Sequence, residues 1–130
     1  MPTEADWEYA CRAGAKGKFA GDGKPGDMGW YDDNSGGHTH PVAQKLPNAW
    51  GLYDMESNLR EAVFDLFGTY PTGEVTDPAG VRAGTLRSSR GGCWESNADT
   101  LGSGHRHAYP EDFKSDLTGL RLALASKVDP

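Results

Sequence analysis

Pro47-Asn48-Ala49-Trp50-Gly51-Leu52-Tyr53-Asp54-Met55, followed further on by Arg90-Gly91-Gly92-Cys93-Trp94, decides how this chain is read. Neither run has the period of a helix or a strand. Each mixes Gly, Pro, Asn and aromatics, a composition that makes sense where a specific irregular backbone is being fixed. Gly supplies unusual dihedrals, and Trp and Tyr bury large area behind a polar tip that seeks a partner. A chain written this way carries a scaffold of packed loops, and binding or catalytic groups sit disproportionately on such loops.

The bulk numbers agree. A length of 130 residues fits one domain with a modest core, and 36% hydrophobic content with 18 Gly and 8 Pro points to a loop-rich fold. The formal net charge of −6 argues against a nucleic-acid partner. No apolar run reaches membrane-span length, and no signal peptide is visible. Cys11 and Cys93 do not make a disulfide framework. They read as two buried thiols, with a bridge between them as the alternative in an oxidising compartment.

Outward from the two runs, elements take shape. Thr3 to Ala13 reads as a helix capped by Thr3, with Asp6 three residues on and Gly14 as the stop. Trp7, Ala10 and Cys11 share one face of it. Gly14 to Asn48 reads as an ordered loop system that needs pinning, for which Trp30, Tyr31 and Trp50 are candidates. Ser57 to Tyr70 fits a helix or a strand. Leu86 to Trp94 reads as a strand interrupted at Gly91-Gly92 by a bulge or a close backbone approach. Gly119 to Ala125 alternates Leu120, Leu122 and Leu124 with Arg121, Ala123 and Ala125, the pattern of a half-buried strand.

Pro2-Thr3-Glu4-Ala5-Asp6-Trp7-Glu8-Tyr9-Ala10-Cys11-Arg12-Ala13-Gly14 is similar to the LPTEAEWEYA segment of the formylglycine-generating enzyme (sulfatase-modifying factor) domain family, a branch of the C-type lectin-like folds. The resemblance continues through Asn34-Ser35-Gly36-Gly37, His40-Pro41-Val42, the Pro47–Met55 run, Asn58…Glu61, Asp77-Pro78 and Arg90–Trp94, and closes at Gly119-Leu120-Arg121. It implies an α+β, C-type lectin-like fold with short antiparallel strands and an N-terminal helix, over residues 1–130 as a single domain lacking the family's N-terminal half. It also implies that Ser57 to Tyr70 is a strand entered through an ion-binding turn.

Three functional expectations follow from the resemblance. The first is calcium, wrapped by Asn58, Glu61 and nearby carbonyls, although Ser57 and Ala62 depart from the family pattern. The second concerns catalysis. The family's oxidases hold copper on two thiols shortly after the Gly-Gly-Ser-aromatic run, where this chain has Ser96 and Thr100 or Leu101. Cu(I) selects thiolates, which argues against copper and leans away from an enzyme. The third is a binding surface. Arg90–Arg121 resembles the variable segment of proteins diversified by retroelements, with anchors Arg90, Gly91, Gly92, Trp94, Ala98, Ser103, Arg106, Pro110, Gly119 and Arg121; Gly102 and Gly104 depart from that pattern. The ligand contacts would be Trp94, Glu95, Ser96, Asn97, Asp99, Thr100, His105, His107, Tyr109, Glu111, Asp112 and Phe113, a polar and aromatic set suited to adaptable recognition.

The resulting reading is a non-catalytic module that binds a protein or glycan ligand. The rivals are a sulfatase-modifying oxidase, and a remnant that works by assembling with another chain. An unmated Gly119–Ala125 strand predicts self-association through its edge. His38-Thr39-His40 and His105-Arg106-His107 have the spacing of metal-binding pairs on a strand, but no third ligand has diagnostic spacing. The compartment stays open: cell surface or secreted if a preceding segment carries a signal, cytoplasmic otherwise.

Overall fold

Thr3 opens the first helix as its composition predicts. Its hydroxyl accepts from Asp6 N at 3.1 Å while the Asp6 carboxylate accepts from Thr3 N at 3.2 Å, a reciprocal cap on α1 (Glu4–Arg12). The helix stops one residue earlier than Gly14, at Ala13, which takes the left-handed conformation at φ 45°. The computed structural model describes residues 1–21 and 23–124. After α1 come two single turns, α2 (Pro25–Met28) and α3 (Asp32–Ser35), and then β1 (Arg60–Leu66), β2 (Leu86–Arg90), a 3-10 turn at Ala98–Thr100, β3 (Arg106–Pro110) and β4 (Thr118–Leu120). The sheet order is β3-β2-β1-β4, with β1–β2 and β2–β3 antiparallel and β4 parallel to β1. This is a small mixed sheet with a few helices, the α+β class expected, and Ser57 to Tyr70 does contain a strand.

Asn48 explains the Pro47–Met55 run. Its Nδ2 donates to the carbonyls of Ala10 and Cys11 at 2.7 and 3.0 Å, and its Oδ1 accepts from the amides of Trp50 and Leu52, both at 3.0 Å. One buried amide thus joins the last turn of α1 to an irregular loop, with Gly51 at φ 78° completing the bend. Trp30 pins the long loop, since its amide donates to Ser57 Oγ at 2.8 Å and its ring stacks on His40 at 3.8 Å. Trp50 does not; half exposed, it meets the rim residue Tyr9 edge-on.

Apolar packing is modest. Trp7, Cys11, Ala20, Met28, Met55 and Val63 form the core, with Ala10 and Leu52 against it. Around them lies an unusual amount of buried polar material, including Glu4, Asn48, Glu56, Glu61, Ser88 and Arg90. Glu56 accepts from Ala20 N at 2.8 Å and Ser103 Oγ at 2.7 Å, and burial pushes its carboxyl above the usual range. Cys11 and Cys93 are free and fully buried. Burial, then the Glu56 charge, lifts the Cys11 thiol to about 12, so it stays protonated and inert at neutral pH.

Two expectations need correction. The strand expected over Leu86–Trp94 ends at Arg90, because Gly91 turns the chain at φ 75°. A side chain on Gly91 would reach Met55 O at 2.9 Å, and one on Gly92 would reach Glu56 O at 2.9 Å, so close backbone approach is the reason for the pair. The strand expected over Gly119–Ala125 is the three-residue β4, and Ala125 lies outside the described residues. Its alternation is also inverted: Arg121 turns inward to Glu61, while Leu120, Leu122 and Leu124 are exposed. The outer edge of β4 has no strand partner among the described residues.

Candidate functional site

Strand register sorts the sheet into two faces. Glu61, Arg90 and Arg106 lie in one row and face α1. Ala62, Ser89 and His107 lie in the next row and face away, with Leu120 aligned to Ala62. By alternation Arg60, Phe64, Arg87 and Tyr109 share this outer face. Among the expected contact residues, His107 and Tyr109 therefore stand together, and the ring of His105, just ahead of β3, meets that of His107 at 4.5 Å. Trp94 enters beside the start of β1, where its amide donates to Asn58 O at 3.0 Å.

Arg90 fixes this face from behind. Its guanidinium is buried and donates to the carbonyls of Ser103 and His105 at 3.1 and 2.9 Å. The same group pairs with Glu4 and Glu8 on α1. One side chain thus transfers the position of α1 to the loop that presents His105. Gly102 helps, because a Cβ there would press on Lys18 O at 3.0 Å, beside the Ser103 N to Lys18 O bond of 3.0 Å. The glycine at this position tightens the loop.

The remaining expected contacts divide. Ser96, expected as a ligand contact, is buried, and its hydroxyl accepts from Cys93 N at 2.9 Å and closes a turn. Asn97 caps the 3-10 turn through Asp99 N at 3.0 Å, and the Thr100 hydroxyl bonds back to Asn97 O at 3.0 Å. Asp99 pairs with Lys18 at 3.2 Å, and Glu111 with Arg87 at 2.5 Å. Glu95, Asp112 and Phe113 are exposed. Reading the sequence missed Arg60, which the alternation of β1 could have placed opposite Glu61. Its Nε is buried without a hydrogen-bond partner, as is Nε2 of His107.

Burial, then Arg60 and His105, holds His107 down to about 4. The sign follows from linkage. A histidine depressed in the folded state contributes stability that is complete above its unfolded value of 6.5 and is lost as pH falls through 4. Urea titrations should show stability falling across that window, and His107→Gln should flatten the fall by about 1–3 kcal/mol. Identical slopes in both proteins would mean that His107 titrates normally.

On the other face of the sheet, Glu61 accepts from Trp7 Nε1 at 2.7 Å and from Arg121 Nε and Nη2 at 2.8 and 2.6 Å. The Asn58 side chain is spanned by the His40 backbone, accepting from its N and donating to its O, both at 3.0 Å. A groove of about 1200 Å³ also lies on the α1 side, between α1 and the 68–82 segment, and includes none of the expected contacts. Its Arg90 and Arg106 are already paired with acids of α1.

A family model described as a sulfatase-modifying factor enzyme 1-like domain matches residues 1–126. The chain belongs to this family. It is similar to Treponema denticola variable protein 1, with a TM-score of 0.87 and 34% identity over 92% of this chain and 45% of that one. The formylglycine-generating enzyme of Streptomyces coelicolor is 31% identical over 95% of this chain and 46% of its own length. The serine/threonine-protein kinase pkn1 of Chlamydia caviae is 34% identical over 98% of this chain and 21% of its own length. The chain thus spans less than half the length of these relatives. A domain found within proteins of such different names does not carry one activity by itself.

Family membership makes calcium the ion to test at Asn58 and Glu61. As placed, the two side chains do not fit it. Both oxygens of Glu61 are engaged, and the Arg121 guanidinium occupies the cation's place. Asp54 Oδ1, which is buried and without a partner, lines the same hollow, but one free carboxylate oxygen falls far short of six to eight ligands. No group of three His, Cys, Asp or Glu suited to a metal occurs among the described residues, the two His-x-His pairs included. Ser57 has a structural duty here: its hydroxyl holds Trp30, and Gly29 leaves the room it needs.

Proposed function

We propose that this domain is a non-catalytic binding module whose ligand surface is the outer sheet face together with the Trp94–Phe113 loops. The observation that carries the reading is the frame behind that face. Arg90 holds the Ser103 and His105 carbonyls, and the β2–β3 ladder holds His107 and Tyr109, so the contact residues are fixed before any ligand arrives. A preorganised surface loses less entropy on binding. Likeness to a variable protein supports diversification of the segment 90–121, and a protein or glycan surface is the partner class that such loops serve. Thiol chemistry, by contrast, would have to pass through Cys11 or Cys93, both fully buried. The unpaired edge of β4, with Leu122 and Leu124 exposed beyond it, supports assembly with another chain as the second reading.

Selection of binders from displayed peptide and glycan libraries tests the reading. Ligands recovered on the native domain should bind at least about tenfold more weakly to Trp94→Ala or Tyr109→Ala, as aromatic anchors do. Substitution of Tyr9, on the opposite side, should leave affinity unchanged. Ligands indifferent to Trp94 and Tyr109, or copper-dependent oxygen uptake with a cysteine peptide, would overturn it.

A further inference from the structure

We propose that the outer sheet face receives a carboxylate of a protein ligand between the Arg60 guanidinium and the His107 imidazole, with His105 alongside. The inference rests on the ligand-binding reading above and gives that site a chemistry.

Two observations carry it. The first is a pair of unmade hydrogen bonds. Arg60 Nε and His107 Nε2 are both shielded from solvent and have no partner among the described residues. Arg60 Nε always carries a proton, and His107 Nε2 carries one as soon as the ring is charged. Buried donors without acceptors are uncommon and call for an explanation such as a missing ligand. The second is the absence of a counter-charge. The charged groups felt by the two rings are Arg60 on β1, Arg90 on β2, Lys18 on the preceding loop and the neighbouring histidine, and all of them disfavour protonation. Of the acids in this segment, Glu111 is paired with Arg87 and Asp99 with Lys18, while Glu95 and Asp112 are exposed and neither is among the charges that act on the two rings. Arg90 in turn is matched by Glu4 and Glu8 on the far side of the sheet. In a chain of net charge −6, no acid among the described residues acts on the two rings to offset Arg60.

The chemistry of the donors selects the ligand. A cation is repelled by the guanidinium, so the histidine pair is not a metal site. An oxyanion supplies both missing acceptors, and its arrival favours the charged imidazole, which then donates. Phe64 and Leu120, on the same face and exposed, favour an acidic side chain in an apolar setting, as on a protein surface, over a sulfated or phosphorylated sugar.

The test is a histidine NMR titration of the intact domain at pH 6. Sodium acetate and sodium sulfate are compared with sodium chloride at constant ionic strength. Acetate should shift the His107 resonances saturably and raise its pKa from about 4 by at least one unit, while His40, stacked on Trp30, and His38, edge-on to His40, stay still. Arg60→Gln, checked for folding by circular dichroism, should weaken the acetate response at least tenfold, and His107→Gln should remove the response of His105. A response equal to that in chloride, or retained in Arg60→Gln, would overturn the inference. A response to sulfate alone would overturn the carboxylate assignment. If Arg60→Gln leaves selected ligands bound while Trp94→Ala and Tyr109→Ala release them, the binding face stands and only its anion preference falls.

Discussion

Glu4→Ala is expected to remove about 3–5 kcal/mol of folding stability, the range for breaking a buried charged pair from one side. Domains of this kind have about 5–15 kcal/mol in total, so the variant should sit at the edge of folding. The size of the effect comes from what is left behind. The Glu4 carboxylate accepts from Arg106 Nε and Nη2 at 2.5 and 2.8 Å and from Ser88 Oγ at 3.2 Å, and lies 3.1 Å from Arg90 Nε. The Arg90 side chain is 1% exposed and the Glu4 side chain 7%, so water cannot replace the lost partner. Without Glu4, the buried Arg90 guanidinium keeps only Glu8, and the partly buried Arg106 keeps only the more distant charge of Asp65. Glu8 sits below the usual carboxylate range because Arg90 and Arg12 outweigh the upward push of burial. Thermal unfolding should move down by roughly 10–20 °C. The exposed pair Lys18–Asp99 is the control, and Asp99→Ala should leave the transition in place. If Glu4→Ala behaved like Asp99→Ala, the Glu4 ion pairs would add nothing to what holds α1.

The site is exposed to the same dependence, because Arg90 is both the partner of α1 and the support of the Ser103 and His105 carbonyls. Variants of Glu4 that still fold should therefore lose ligand affinity although Glu4 lies on the opposite side of the sheet. That is a positioning effect, and it predicts weaker binding without a change in ligand preference.

How much of this could be read from the sequence depended on the range of the interaction. The Thr3 cap is encoded within a few residues, and that reading held; the helix stop came at Ala13, one residue before the expected Gly14; and of the bulge and the close approach expected at Gly91-Gly92, the structure has the close approach, to the distant Met55 and Glu56. The role of Asn48 was not visible, since its partners Ala10 and Cys11 lie far away in the chain. The C-terminal alternation misled. Leucines at every second position suggest an apolar inner face, yet the buried Glu61 carboxylate recruits Arg121 and turns the pattern over. Ser96 was read as a contact because it follows Trp94, but its hydroxyl is used locally by Cys93 N. Arg60, between Asn58 and Glu61, was not singled out at all. A charge is legible as functional only when its surroundings are known, and here the surroundings are His105 and His107, more than forty positions away.

Glu61→Ala is the second large effect, again about 3–5 kcal/mol. Glu61 is the acceptor for the indole of Trp7, the largest residue in the core, and for the Arg121 fork that closes the C-terminal strand against the loop at Tyr53. Its removal strands a buried N–H and a half-buried guanidinium together. Arg121→Ala should cost less, since Glu61 keeps the indole. A double-mutant cycle of the two should return a coupling of about 1–3 kcal/mol, because each single change removes the same bidentate pair. The cycle also decides between two uses of Glu61. If the carboxylate is a calcium ligand, adding calcium must raise stability in proportion to the logarithm of its concentration, and chelation must lower it. If the Arg121 guanidinium is its cation, as the geometry has it, millimolar calcium and chelator leave the native transition unchanged. In Arg121→Ala the carboxylate is released, and calcium should then begin to stabilise the variant. A calcium response present in the native domain and absent from Arg121→Ala would reverse the assignment. The expected pattern makes Arg121 an internal replacement for the ion, a charge that the chain supplies itself.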